Sequence, residues 1–110
     1  MDDKQKLRVT QDYEKLSEEI KEQVKLVYPR GYSDHLISFK NKEGKTIKGL
    51  RFETEEKIYL IRMTIAQAEE IISDDDDFDE EGNLIKSIQE EYEDKHSEVD
   101  YLTDNENYDA

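Results

Sequence analysis

Five residues in the C-terminal half have the types and spacing that could do chemistry: Asp77, Asp79, Glu81, Gly82 and Leu84. Oxygen-bearing side chains at alternate positions, a turning glycine and then an apolar residue open a helix-loop-helix calcium loop, and calcium takes about six to eight oxygens. Asp74, Asp75 and Asp76 lie just upstream. The pattern breaks at its close. Its twelfth position is Ile88, where a bidentate Glu should stand, and Glu90 and Glu91 miss that register. The expectation is therefore weak calcium binding at most, through Asp77, Asp79 and Glu81. The plainer reading is an acidic loop ahead of a helix whose N-terminal dipole favours negative charge.

Other constellations are thinner. Glu55 and Lys57, with Asp34 upstream, contain the Glu-x-Lys element of metal-dependent nucleases, in which a carboxylate holds the cation and the lysine steadies the nucleophile. Three such letters arise easily in a chain that is 42% charged. His35 and His96 have no base or nucleophile close in sequence, and both read as surface residues. Arg30, Lys40, Lys42, Lys45, Lys48, Arg51 and Arg62 interleave with Tyr32, Phe39, Phe52 and Tyr59, a composition able to contact phosphates and stack bases. The net charge argues against nucleic acid as the partner, because binding gains from counterion release at a positive surface. Glycine-rich phosphate loops and serine elbows are missing, and without cysteine there is no disulfide, thiolate site or cysteine catalysis.

The elements that must position these residues follow from periodicity. Tyr13, Leu16, Ile20, Val24 and Val27 recur at steps of three and four, predicting a helix over 11–28 that Pro29 stops. Its polar side pairs Glu18 with Lys21 and Glu22 with Lys25, as on a solvated face. Leu36–Asn41 reads as a strand, the Lys42-Glu43-Gly44 loop as a hairpin turn, and Thr46–Phe52 as a second strand. Ile47 is out of phase with Leu50 and Phe52, so a bulge is expected at Gly49. A third strand over 57–64 carries Tyr59, Ile61 and Met63 on one face, with Ile58 and Leu60 on the other. Thr64 and Gln67 form a capping-box signature for a second helix, and Leu84, Ile85, Ile88 and Tyr92 predict a third that starts near Asn83 and frays after Lys95. The fold class is thus α+β: an N-terminal helix, a three-stranded antiparallel meander and two C-terminal helices. Residues 1–11 read as a flexible N-terminus, 12–95 as one domain and 96–110 as a disordered acidic tail.

The bulk numbers frame this. At 110 residues one modest core is all the chain can build. Residues 1–72 hold 27 of the 37 hydrophobic residues. No apolar run approaches the roughly 18 residues of a membrane span and the start MDDKQKLR is charged, so a cytoplasmic protein with no membrane partner is expected. The net charge of −14 is unevenly placed: residues 1–64 carry 14 Lys/Arg against 12 Asp/Glu, and residues 65–110 carry 2 against 18. The molecule is electrostatically two-sided.

The stretches YPRGYSDHLISFKN, RFETEEKIYLIRMT and DDDDFDEEGNL together resemble a set of small acidic proteins of Bacteroidetes bacteria with no assigned activity. The resemblance spans about residues 12–95 and implies a stand-alone cytoplasmic domain. It carries no functional residue across. The leading expectation is a non-catalytic interaction module that offers its acidic C-terminal region to a basic protein or a cation, with no cofactor. The competing classes are a divalent-metal-dependent nuclease built on Glu55 and Lys57, and a weak calcium-binding protein.

Overall fold

The computed structural model describes residues 6–99 and Leu102. The chain is α+β: three helices and a four-stranded mixed sheet in the order β1-β4-β3-β2. Strands β2 (Ile37–Lys40), β3 (Thr46–Glu53) and β4 (Lys57–Arg62) form the expected antiparallel meander. The correction lies at the N-terminus, where β1 (Leu7–Asp12) pairs in parallel with β4, Leu7 opposite Lys57 and Asp12 opposite Arg62. Part of the segment expected to be a flexible lead-in is thus a paired strand, and residues 1–5 lie outside the described residues. Val9 is the partly buried apolar position of this strand, while Leu7 at its start is exposed.

The helix expected over 11–28 is shorter. A 3-10 turn (Tyr13–Lys15) comes first, and α1 (Glu18–Val27) begins where the Ser17 hydroxyl accepts a hydrogen bond from the Ile20 amide at 3.2 Å. The apolar stripe survives the change, since Tyr13, Leu16, Val24 and Val27 are all buried and Ile20 packs against them. Asn41 Oδ1 closes the β2–β3 hairpin by accepting from the Glu43 and Lys45 amides, both at 3.0 Å, and Gly44 takes φ +82°. The bulge expected at Gly49 is absent. Pairing runs regularly from Ile37 opposite Gly49 to Lys40 opposite Thr46, so Ile47 simply lies on the face opposite Leu50 and Phe52.

The capping box forms as read: the Thr64 hydroxyl accepts from the Gln67 amide at 3.1 Å, and the Gln67 side chain accepts from the Thr64 amide at 2.9 Å. It starts α2 (Ile65–Ser73). After the acidic loop, α3 spans Lys86–Lys95, beginning slightly later than expected. Leu50, Phe52 and Ile61 meet Val24, Val27, Ala68 and Ile72 in one core, so the helices sit on one face of the sheet. Among the described residues no helix is long and apolar enough to cross a membrane. Most of the expected acidic tail, residues 100, 101 and 103–110, lies outside the described residues, whereas Leu102 packs against the core.

Candidate functional site

The acidic loop between α2 and α3 is anchored at both ends of its turn. Phe78 and Leu84 form an isolated bridge and are both buried, and the Leu84 amide donates to the Pro29 carbonyl at 2.7 Å. Asp79 Oδ1 accepts from the Glu81 and Asn83 amides, both at 2.9 Å, and Gly82 turns the chain at φ +84°. Asp75 Oδ1 accepts from the Asp77 amide at 2.9 Å. These short side-chain bonds fix the loop, and they decide which carboxylates turn inward.

Asp75 and Asp77 turn inward, onto a lysine. Lys25 of α1, its side chain only 10% exposed, places Nζ 2.7 Å from Asp75 Oδ2 and 2.7 Å from Asp77 Oδ2. The Tyr92 hydroxyl of α3 donates to the same Asp77 oxygen at 2.7 Å, and the ammonium lies 5.9 Å from the Tyr92 ring centre. Burial alone would push the Lys25 pKa down, but the hydrogen bonds to Asp75 and Asp77 outweigh it and hold the pKa above that of an ordinary lysine. Burial likewise opposes ionisation of Asp77, yet the bonds from Lys25 and Tyr92 keep its carboxyl below the usual range. The loop thus has a resident cation supplied by the chain itself.

Sequence reasoning placed Lys25 on a solvated helix face beside Glu22. Both residues instead look inward, one turn apart on α1. Glu22 Oε1 lies 3.0 Å from Lys95 Nζ and 2.9 Å from His96 Nε2. Burial raises the Glu22 pKa, and the bonds from His96 and Lys95 more than reverse that. His96, expected on the surface, is buried, with Nδ1 3.5 Å from Gln23 Nε2. Together the two knots tie α1 to the loop and to the end of α3.

The residues expected to ligate calcium do not converge. Asp77 is engaged by Lys25 and Tyr92, Asp79 by the turn amides, and Glu81 is exposed. Among the described residues no group of three or more His, Cys, Asp or Glu could hold a metal ion. Glu55 is exposed in the β3–β4 turn, where Thr54 Oγ1 accepts from the Glu56 and Lys57 amides. Lys57 opens β4 with its ammonium 5.9 Å from the Tyr59 ring centre, and Asp34 lies in the 3-10 turn Ser33–His35. Tyr32 and Phe52 are fully buried and offer no face on which a base could stack. Arg62 pairs with Asp12 at 2.9 Å and Arg51 with Glu53 at 2.5 Å, which leaves less free basic charge on the sheet than the sequence suggested. Burial raises the Glu53 pKa, and the bonds from Lys6 and Arg51 outweigh that and lower it.

A groove of about 990 Å³ runs between the start of β3, the end of β4 and α2, lined in part by Lys48, Arg62, Ile65 and Glu70. Its lining mixes signs, with Asp12, Glu14, Glu70 and Asp74 beside Lys48 and Arg62. Comparison of the chain with protein-family models, curated proteins and solved structures finds no match.

Proposed function

We propose that this protein is a non-catalytic interaction module that presents the carboxylates of its C-terminal half to a basic protein. The observation carrying this reading is the division within the acidic region. Asp75 and Asp77 are consumed by Lys25, whereas Asp74, Asp76, Glu80, Glu81, Glu90 and Glu91 are exposed and make no ion pair among the described residues. One buried lysine offsets part of the charge of the two inward carboxylates, and the six exposed ones face water. A surface of that kind steers a positively charged partner and sets its on-rate. The carboxyls with displaced pKa values, Glu22, Glu53 and Asp77, each sit in a pairing that holds elements together, which supports a structural role for them rather than a catalytic one.

Calorimetric titration with a lysine- and arginine-rich peptide tests the reading. Binding should weaken steeply as salt rises and should fall in a variant combining Glu80→Gln, Glu81→Gln, Glu90→Gln and Glu91→Gln. Absence of binding at low ionic strength would exclude it.

A further inference from the structure

We propose that the helix-free face of the sheet is a contact on which a second copy of this chain packs, sheet against sheet. Register sets the membership of that face. Leu50 pairs with Ile61 and Phe52 with Tyr59 on the core side, so Leu60 and Ile58 of β4 point the other way, with Ile47 of β3 and Ile37 and Phe39 of β2. None of these five belongs to the core cluster or packs against it, and Ile37 is 41% exposed. The helices occupy the other side. Gly49 contributes by its lack of a side chain, since a Cβ there would come within 2.8 Å of the Phe39 ring and of the Ile61 carbonyl oxygen. Phe39 thereby lies against the β3 backbone at Gly49, beside Ile37 and Ile47.

Charge favours a second copy as the occupant. Charged residues share the face with these apolar ones: on the two central strands Arg62 paired with Asp12, and Arg51 paired, with Lys6, to Glu53; on β1, Arg8. On a chain of net charge −14 this is a surface of mixed sign with a slight positive balance, so like-charge repulsion between copies is small there. A two-fold contact brings the same patch against itself, and a face holding both signs is self-complementary. Packing through this face also turns both acidic halves outward. With sheets about 10 Å apart and a helix layer about 10 Å beyond each, the acidic surfaces lie on the order of 30 Å apart, several times the roughly 8 Å screening length at physiological salt.

The area suits a modest dimer. Four strands at about 4.8 Å spacing and about six residues at 3.3 Å give a flat footprint of roughly 400 Å² before side chains corrugate it. Stable dimers bury about 800 Å² of accessible surface per partner. The contact therefore belongs to the weak class, with micromolar dissociation.

Sedimentation equilibrium of the full chain at physiological salt tests this. A reversible monomer–dimer equilibrium in the micromolar range is expected, weakening at low salt as the acidic halves begin to repel. Leu60→Lys sits between Thr10 and Arg51 at the centre of the face, and Ile37→Lys sits at its exposed edge. Each substitution puts a charged ammonium where the contact would bury an apolar side chain, so each variant should raise the dissociation constant at least tenfold. Ile37→Lys should do so with an unchanged thermal midpoint, which keeps the test valid if Leu60→Lys folds poorly. Glu90→Gln, in the acidic half, should leave association intact. A chain that stays monomeric into the millimolar range, whether another protein or its own terminal residues cover the face, overturns the proposal. So does a dimer that survives both lysine substitutions.

Discussion

Lys25 of α1 and Asp77 of the acidic loop, 52 positions apart in sequence, are joined by a 2.7 Å ion pair between side chains that are 10% and 20% exposed. Removing one member of a buried pair leaves the other charge uncompensated, at a cost of about 3 to 5 kcal/mol. Lys25→Met should therefore lower the thermal midpoint by more than about 10 °C. Adding Asp75→Asn and Asp77→Asn to Lys25→Met should restore much of the loss, because the stranded carboxylates go with it. A loss below about 1 kcal/mol in chemical denaturation would mean that the pair behaves as a screened surface bridge.

The same knots set the pH response. Asp77, Glu22 and Glu53 have folded-state pKa values below the ordinary carboxylate value, so their contribution is present above about pH 4 and is lost as pH falls through the lowered values. Lys25 is raised, so its contribution is full below the unfolded lysine value near 10.4 and is lost as pH rises through the folded one. Burial also raises Tyr13, Tyr32 and Tyr92, which adds to the alkaline loss. Urea midpoints should form a plateau between about pH 5 and 9 and fall on both sides. In Asp77→Asn the acid limb should be shallower, and an unchanged acid limb would remove Asp77 from the explanation.

Much of the fold was legible because its signals are local. The meander, the capping box of Thr64 and Gln67 and the apolar stripe of α1 rest on residues a few positions apart. Strand β1 was not legible, since Leu7 and Val9 make a weak pattern alone and their partner strand begins at Lys57. The N-terminal helix was over-extended because Tyr13 and Leu16 keep helical spacing while lying in and just after a 3-10 turn; Ser17, ahead of Glu18 and Glu19, was the local sign of the true start. The site was hidden for the same reason as β1. Lys25 has an acid three residues before it, and nothing nearby says that its partners are Asp75 and Asp77.

Calcium separates the loop as built from the loop as first read. With Asp77 engaged by Lys25 and Tyr92, and Asp79 by backbone amides, added calcium should give no saturable heat in the micromolar range and at most weak millimolar binding. Micromolar binding lost in Asp79→Ala would require the loop to release Lys25 and rebuild around the ion.

The central claim is that the charge of the acidic half is left unneutralised within the molecule and is available to a basic partner. Thermal midpoint against sodium chloride, measured on Ile37→Lys so that association between copies does not contribute, tests it most directly. Unrelieved repulsion among exposed carboxylates is screened as salt rises, whereas the buried Lys25 pairs are screened much less. The midpoint should climb between low and physiological ionic strength. A midpoint that falls would contradict the claim, because the acidic half would then be an internal clamp held to the rest of the protein by its charge.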